Sequence, residues 1–153
     1  MRLIALVTGT SCVASILAAR AVDLWLTGRI AIAGSFIGLQ RAENEGIAFG
    51  LHLGPYQDAI ILLAVLAVMA VALRSAIQPL ERIGFGLILG GGVANIIDRL
   101  PDGTVTDMIQ IGSFPVFNVA DICINVGVAF LLAEMILGWR KPQKPGETAR
   151  GKP

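Results

Sequence analysis

Four long apolar stretches, residues about 3–26, 56–76, 83–97 and 116–138, constrain this chain more than anything else in it. A membrane-spanning helix needs about 20 mostly apolar residues. Lipid admits only helices and closed barrels, because every backbone polar group must find its partner inside the spanning structure. The 153 residues are 55% hydrophobic and 15% charged, against roughly 25% charged in a soluble domain. The sequence therefore predicts an all-α membrane protein, a single integral domain over 1–153 with four transmembrane helices. The third stretch is short and carries Gly84, Gly86, Gly90, Gly91 and Gly92. Small residues let helix backbones approach closely in lipid, so this stretch is read as the central helix. The first stretch has some marks of a secretory signal peptide, Arg2 and the small-residue site Ala19-Arg20-Ala21. Its apolar run is long and three more spans follow, so a retained helix is expected.

Orientation follows from lysine and arginine. With four spans both termini share one side. That side holds Arg2, Arg74, Arg82, Arg140, Lys141, Lys144, Arg150 and Lys152, and the other holds Arg20, Arg29, Arg41 and Arg99. The bias puts both termini in the cytoplasm and the connections 27–55 and 98–115 outside. In the first of these, Arg29–Ala33 and Ser35–Leu39 read as short strands joined at Gly34, which predicts a small external β element lying on the membrane surface. The Pro/Gly-rich, basic tail at 141–153 is expected to be disordered.

Several function classes drop out. A net charge of +1 implies no nucleic-acid partner. The single histidine, His52, lies in a Gly/Pro-containing stretch and reads as a loop residue. No His or Cys cluster signals a metal, and no cofactor is implied. Cys12 and Cys123 fall in apolar runs, where cysteine behaves as a small hydrophobe.

Chemistry concentrates in three aspartates at the outer ends of the last two spans: Asp98, Asp107 and Asp121. An ionisable group in a span costs roughly 2.5–3.5 kcal/mol on insertion scales and marks function by default. Pro101-Asp102-Gly103 reads as a turn, Thr104–Ile109 alternates like a strand, and Pro115 suits a helix start. Asp107 and Asp121 thus bracket a short excursion that returns to one place. Asp98 is read as capping the third helix and pairing with Arg99. Two adjacent carboxylates share a proton, since both cannot ionise easily. The ionised one takes a proton from water while the protonated one donates to a carbonyl oxygen, and together they hydrolyse an amide.

The motifs carry a resemblance. Asn44-Glu45-Gly46-Ile47-Ala48-Phe49 fits N-x-G-x-A-F, Gly91–Arg99 fits G-G-x-x-x-N-x-x-D-R, Gly103–Asp107 fits G-x-V-x-D, and Phe117–Asp121 fits F-N-x-A-D. In that order the chain resembles the lipoprotein signal peptidases, or signal peptidase II. The resemblance implies an aspartic endopeptidase of the bacterial inner membrane, with its active site facing the periplasm. Its substrate is a prolipoprotein bearing a diacylglyceryl-cysteine, and it is inhibited by globomycin. Carried over motif by motif, Asp107 and Asp121 form the catalytic pair. Asn44, Gly46, Asn95, Asp98, Arg99 and Asn118 line or support the site, with Asp23 at the end of the first helix. Arg99 suits a substrate carbonyl, and Ile47 and Phe49 suit a clamp over the bound chain. The chain departs from the family in having Thr27 where D-x-x-x-K ends in lysine, Ala94 where a glycine is usual, and a short link between Asp107 and Asp121.

Two other readings compete. A metal-dependent lipid head-group transferase also gathers aspartates near a bilayer surface, but it needs carboxylates converging on one ion. A non-catalytic helical membrane protein needs none of them.

Overall fold

The chain runs as α1 (Arg2–Trp25), β1 (Ile30–Ala33), β2 (Ile37–Asn44), a short 3-10 turn (Gly54–Tyr56), α2 (Gln57–Ser75), α3 (Pro79–Arg99), β3 (Val105–Ile111) and α4 (Val119–Trp139). The structure, a computed structural model, describes residues 1–47, 52–75 and 78–139. Phe49 and the tail at 141–153 lie outside the described residues. All four helices are long and apolar enough to cross a membrane. Their large side chains point outward: Leu6, Leu17, Leu63, Leu66, Leu132 and Ile136 are all exposed. Such a belt is stable only against lipid. Trp25 and Tyr56 are exposed at the end of the bundle that carries the sheet, the level where amphipathic rings favour the membrane–water boundary.

Helix α3 is the hub, as its glycines imply. It packs extensively on α1 and α4 and more lightly on α2. At Gly91 an added Cβ would lie 2.5 Å from the Ala120 carbonyl oxygen of α4. Only a residue without a side chain allows α4 to sit that close. On another face, Leu89 packs with Ile4 of α1 and Ala72 of α2.

The helix also begins earlier than the apolar run at 83 suggests. Pro79 occupies its first turn, where a missing N–H costs nothing. Glu81 Oε2 accepts the Gln78 N–H at 2.9 Å, half of a capping box. Polar capping therefore adds a turn that hydropathy does not register.

The β element is one antiparallel sheet in the order β1-β2-β3, built from the α1–α2 and α3–α4 connections. Gly34, at φ +56, makes the turn between β1 and β2, a conformation glycine adopts without strain. Strand β2 continues past the expected end at Leu39 to Asn44, because β3 pairs with it along that length: Ile37 opposes Ile111 and Ala42 opposes Asp107. Ala19 and Val22 of α1 close over Met108 of β3, fixing the sheet to the bundle.

Helix α4 starts at Val119, not near 116. Phe117 is held in a β-bridge with Ile109, its carbonyl accepting from the Ile109 N–H at 2.8 Å and its own N–H donating back at 3.1 Å. Pro115 therefore belongs to the connection and does not start the helix.

Substituting Gly91→Ala should destabilise the protein by about 1–3 kcal/mol through overpacking. The expected readout is a lower melting temperature in detergent. Gly9→Ala, where nothing lies within 4 Å, should leave it unchanged or slightly higher.

Candidate active site

Asp107 is the third residue of β3 and is only 2% exposed. Both carboxylate oxygens are occupied: Asn44 Nδ2 at the end of β2 donates to Oδ2 at 2.9 Å, and Asn118 Nδ2 donates to Oδ1 at 2.8 Å. Burial pushes its pKa up to about 6. The hydrogen bonds from Asn44 and Asn118 pull it down, the charge of Asp121 pushes it up, and Arg99 pulls it down. Desolvation, ahead of repulsion from the second carboxylate, is thus the main reason the Asp107 pKa is raised.

Asp121 lies in the first turn of α4, and the local sequence explains its orientation. Asn118 precedes the helix and its Oδ1 accepts the Asp121 N–H at 2.9 Å, while Asp121 Oδ2 accepts the Asn118 N–H at 3.1 Å. This is a reciprocal N-terminal cap, with a carboxylate where the helix dipole favours negative charge. Asn95 Nδ2 on α3 donates to Asp121 Oδ1 at 3.2 Å, and Asn118 Nδ2 also reaches Asn95 Oδ1 at 3.3 Å. One network of asparagines therefore links the two aspartates. Its role as a cap does not separate Asp121 from Asp107, because its cap partner is also the bridge to Asp107.

Six of the nine residues singled out from sequence line a single cavity of about 1070 Å³: Asn44, Gly46, Asn95, Arg99, Asp107 and Asp121. The other three stand behind it. Asn118 bridges the aspartates. Asp98 Oδ2 accepts the Thr106 N–H at 2.7 Å, tying α3 to β3. Asp23 accepts from Arg41 Nε at 2.9 Å and Thr106 Oγ1 at 3.3 Å, and lies 3.6 Å from Arg20. These two arginines supply positive charge beside Asp23 near the end of α1, where position 27 is threonine.

The expected Asp98–Arg99 ion pair does not form. Arg99 is 6% exposed and donates through Nη2 to the Gly46 carbonyl, while Asp98 turns to Thr106. Consecutive residues on a helix do not face one another. Arg99 Nε, buried in the cavity wall, has no partner among the described residues.

Gln57 and Thr106 were missed in the sequence. Gln57 is 8% exposed; its Nε2 donates to the Glu45 carbonyl and its Oε1 accepts the Leu53 N–H at 3.2 Å, so it holds both flanks of the outer connection. A glutamine at the first position of the helix, ahead of Asp58 and the apolar run, was the available signal. Thr106 left no signal, since its partners Asp98 and Asp23 are set by the fold.

Below the polar mouth the cavity is mostly hydrocarbon, from Ile61 and Val65 of α2, Ile88 and Leu89 of α3, and Ile124 and Val126 of α4, with Asn125 the polar side chain among them. Among the described residues, no three His, Cys, Asp or Glu side chains converge as a metal cage.

The sequence profile described as "Signal peptidase (SPase) II" matches residues 5–137. A lipoprotein signal peptidase of Mesorhizobium japonicum is 37% identical over 114 residues, spanning 69% of this chain and 68% of the relative. That of Brucella ovis is 37% identical over 115 residues, spanning 69% and 71%. Two solved structures, each titled a bacterial membrane enzyme, share the fold. One has a TM-score of 0.84 at 19% identity over 95% of this chain and 94% of the other. The second has a TM-score of 0.76 at 21% identity over 94% and 96%. Four spans, an asparagine-bridged aspartate pair and a profile match over most of the length lead to one conclusion: the chain belongs to the signal peptidase II family.

Proposed function

We propose that this membrane protease removes signal peptides from diacylglyceryl-modified prolipoproteins by an aspartic mechanism in which Asp107 and Asp121 are the catalytic residues. One observation carries the reading: the two carboxylates stand, with Asn44, Asn95 and Arg99, at the polar end of a cavity whose remaining wall is mostly hydrocarbon. A signal peptide is an apolar segment and a diacylglyceryl group is lipid, so both partition into such a space. The cavity separates α2 from α4, each of which packs on α3. A lipid-borne chain therefore enters sideways from the bilayer, with its scissile bond held at the polar end.

In the chemical step water attacks the scissile carbonyl carbon. Asp121 accepts a proton from the water while Asp107 gives its own proton to the carbonyl oxygen, forming a neutral diol. Collapse returns a hydroxyl proton to Asp107, breaks the C–N bond and passes the proton on Asp121 to the leaving nitrogen. Asn118 and Asn95 hold the two carboxyl groups in register throughout. The unpartnered Nε of Arg99 suits a substrate backbone carbonyl. The proposed partners are the prolipoprotein, membrane lipid and globomycin-type inhibitors, which would compete for the same cavity. The lysine and arginine bias supports an inner-membrane orientation with both termini cytoplasmic and the sheet facing the periplasm.

With a diacylglyceryl-modified prolipoprotein in detergent, Asp107→Asn and Asp121→Asn should each lower kcat by about 10²–10⁴-fold with melting temperatures near wild type. Turnover that survives either substitution would overturn the assignment. EDTA should leave the rate unchanged, and loss of activity on chelation would favour a metal-dependent enzyme.

The pH profile has a defined sign. Below about 6 Asp107 carries the proton it must donate, and above that it loses it. kcat/KM should therefore fall as pH rises through about 6, and a rate that climbs across that range would contradict the donor role.

A further inference from the structure

We infer that Asn125 is a substrate-positioning residue, its side-chain oxygen accepting a hydrogen bond from a backbone N–H of the signal peptide just before the cleaved bond. This deepens the peptidase reading and rests on it. Asn125 lies one helical turn beyond Asp121 on α4, about 6 Å further into the membrane span at 1.5 Å per residue. It is exposed to the same cavity as the aspartates, and its α4 neighbours in that wall, Ile122, Ile124 and Val126, are hydrocarbon. Its Nδ2 donates to the Asp121 carbonyl at 2.8 Å, which fixes the amide. Among the described residues nothing donates to its Oδ1. An amide oxygen facing an apolar space at membrane depth needs a donor from whatever fills that space.

The chemistry of the occupant selects the donor. Acyl chains have no polar atoms, and glyceryl esters and the cysteine thioether offer only acceptors, so the lipid part of the substrate cannot pair with Oδ1. The peptide can. A signal peptide crosses lipid as a helix with its backbone paired internally, but a bond open to water and two carboxyl groups requires an unwound chain. Unwinding orphans the N–H groups next to that bond. The apolar segment before the bond runs into the membrane from Asp121, the direction in which Asn125 lies.

The test is a cycle between enzyme and substrate. Asn125→Leu is compared with wild type on a diacylglyceryl-modified prolipoprotein peptide. It is also compared on analogues in which ester oxygen replaces the amide N–H at one of the peptide bonds preceding the cleaved one. With the all-amide substrate Asn125→Leu should lower kcat/KM about fivefold, within the roughly 2–12-fold range of one neutral hydrogen bond. At one ester position wild type should show the same loss, and the combination no further loss. Losses that multiply at every position, or an Asn125→Leu enzyme as fast as wild type, would overturn the inference. A melting temperature near wild type separates this role from a structural one, and Asn125→Ala serves in the same cycle if the leucine variant fails to fold. Absence of cleavage by wild type itself would remove the peptidase reading and this inference with it, whereas cleavage with multiplying losses removes the inference alone.

Discussion

The Asn118 side chain is the junction on which the site depends. Its oxygen caps α4 through the Asp121 N–H, and its amide nitrogen reaches Asp107 on β3 and Asn95 on α3. Three elements separated in sequence therefore meet at one buried amide, 4% exposed. A side chain in that position must satisfy acceptors on two sides and a backbone donor on a third, which an amide does and a carboxylate or hydrocarbon does not. Loss of any partner leaves a polar group unpaired at low dielectric, where the penalty is greatest. The arrangement is consequently satisfied as a whole or not at all.

The close approach of α4 to α3 at Gly91 supports the same geometry. Ala120, whose carbonyl oxygen crowds Gly91, is the residue before Asp121. Bundle packing and carboxylate position are thus set by the same contact, so a change in the apolar seam moves the polar site. From the other side, Asp98 and Asp23 hold Thr106, the residue preceding Asp107. Each aspartate of the pair thus has an immediate neighbour held against α3, and Thr106 also reaches Asp23 of α1.

The four spans were legible because hydrophobic length is a direct physical requirement of the bilayer, and they appear where the apolar runs lie. Their ends were not legible in the same way. Capping by Gln78 and Glu81 extends α3 beyond its apolar core, and the bridge of Phe117 to Ile109 delays α4 past Pro115. Both are decided by polar or tertiary contacts that hydropathy ignores. The two-stranded reading of the first connection missed that β3 would lengthen β2, since pairing across 60 or so residues leaves no local pattern. The motifs singled out residues that the fold brings together, whereas their partnerships were not legible. Adjacent letters suggested that Asp98 and Arg99 would pair, but helix geometry sends them to Thr106 and Gly46. A proton shared between the aspartates was expected from the neighbouring charge, with its holder left open, yet burial is the largest cause of the raised pKa of Asp107.

Apart from Asn125, the inner part of the cavity is walled mainly by isoleucine, leucine and valine from three helices. Surfaces of that kind attract by area, at about 25 cal/mol per Å² removed from water, with little regard to which aliphatic group supplies it. Many dissimilar greasy sequences can consequently occupy the space with comparable affinity. Discrimination is left to the few hydrogen-bonding groups at the rim and at Asn125, so a cavity of this design tolerates variety in the greasy segment while constraining the polar one.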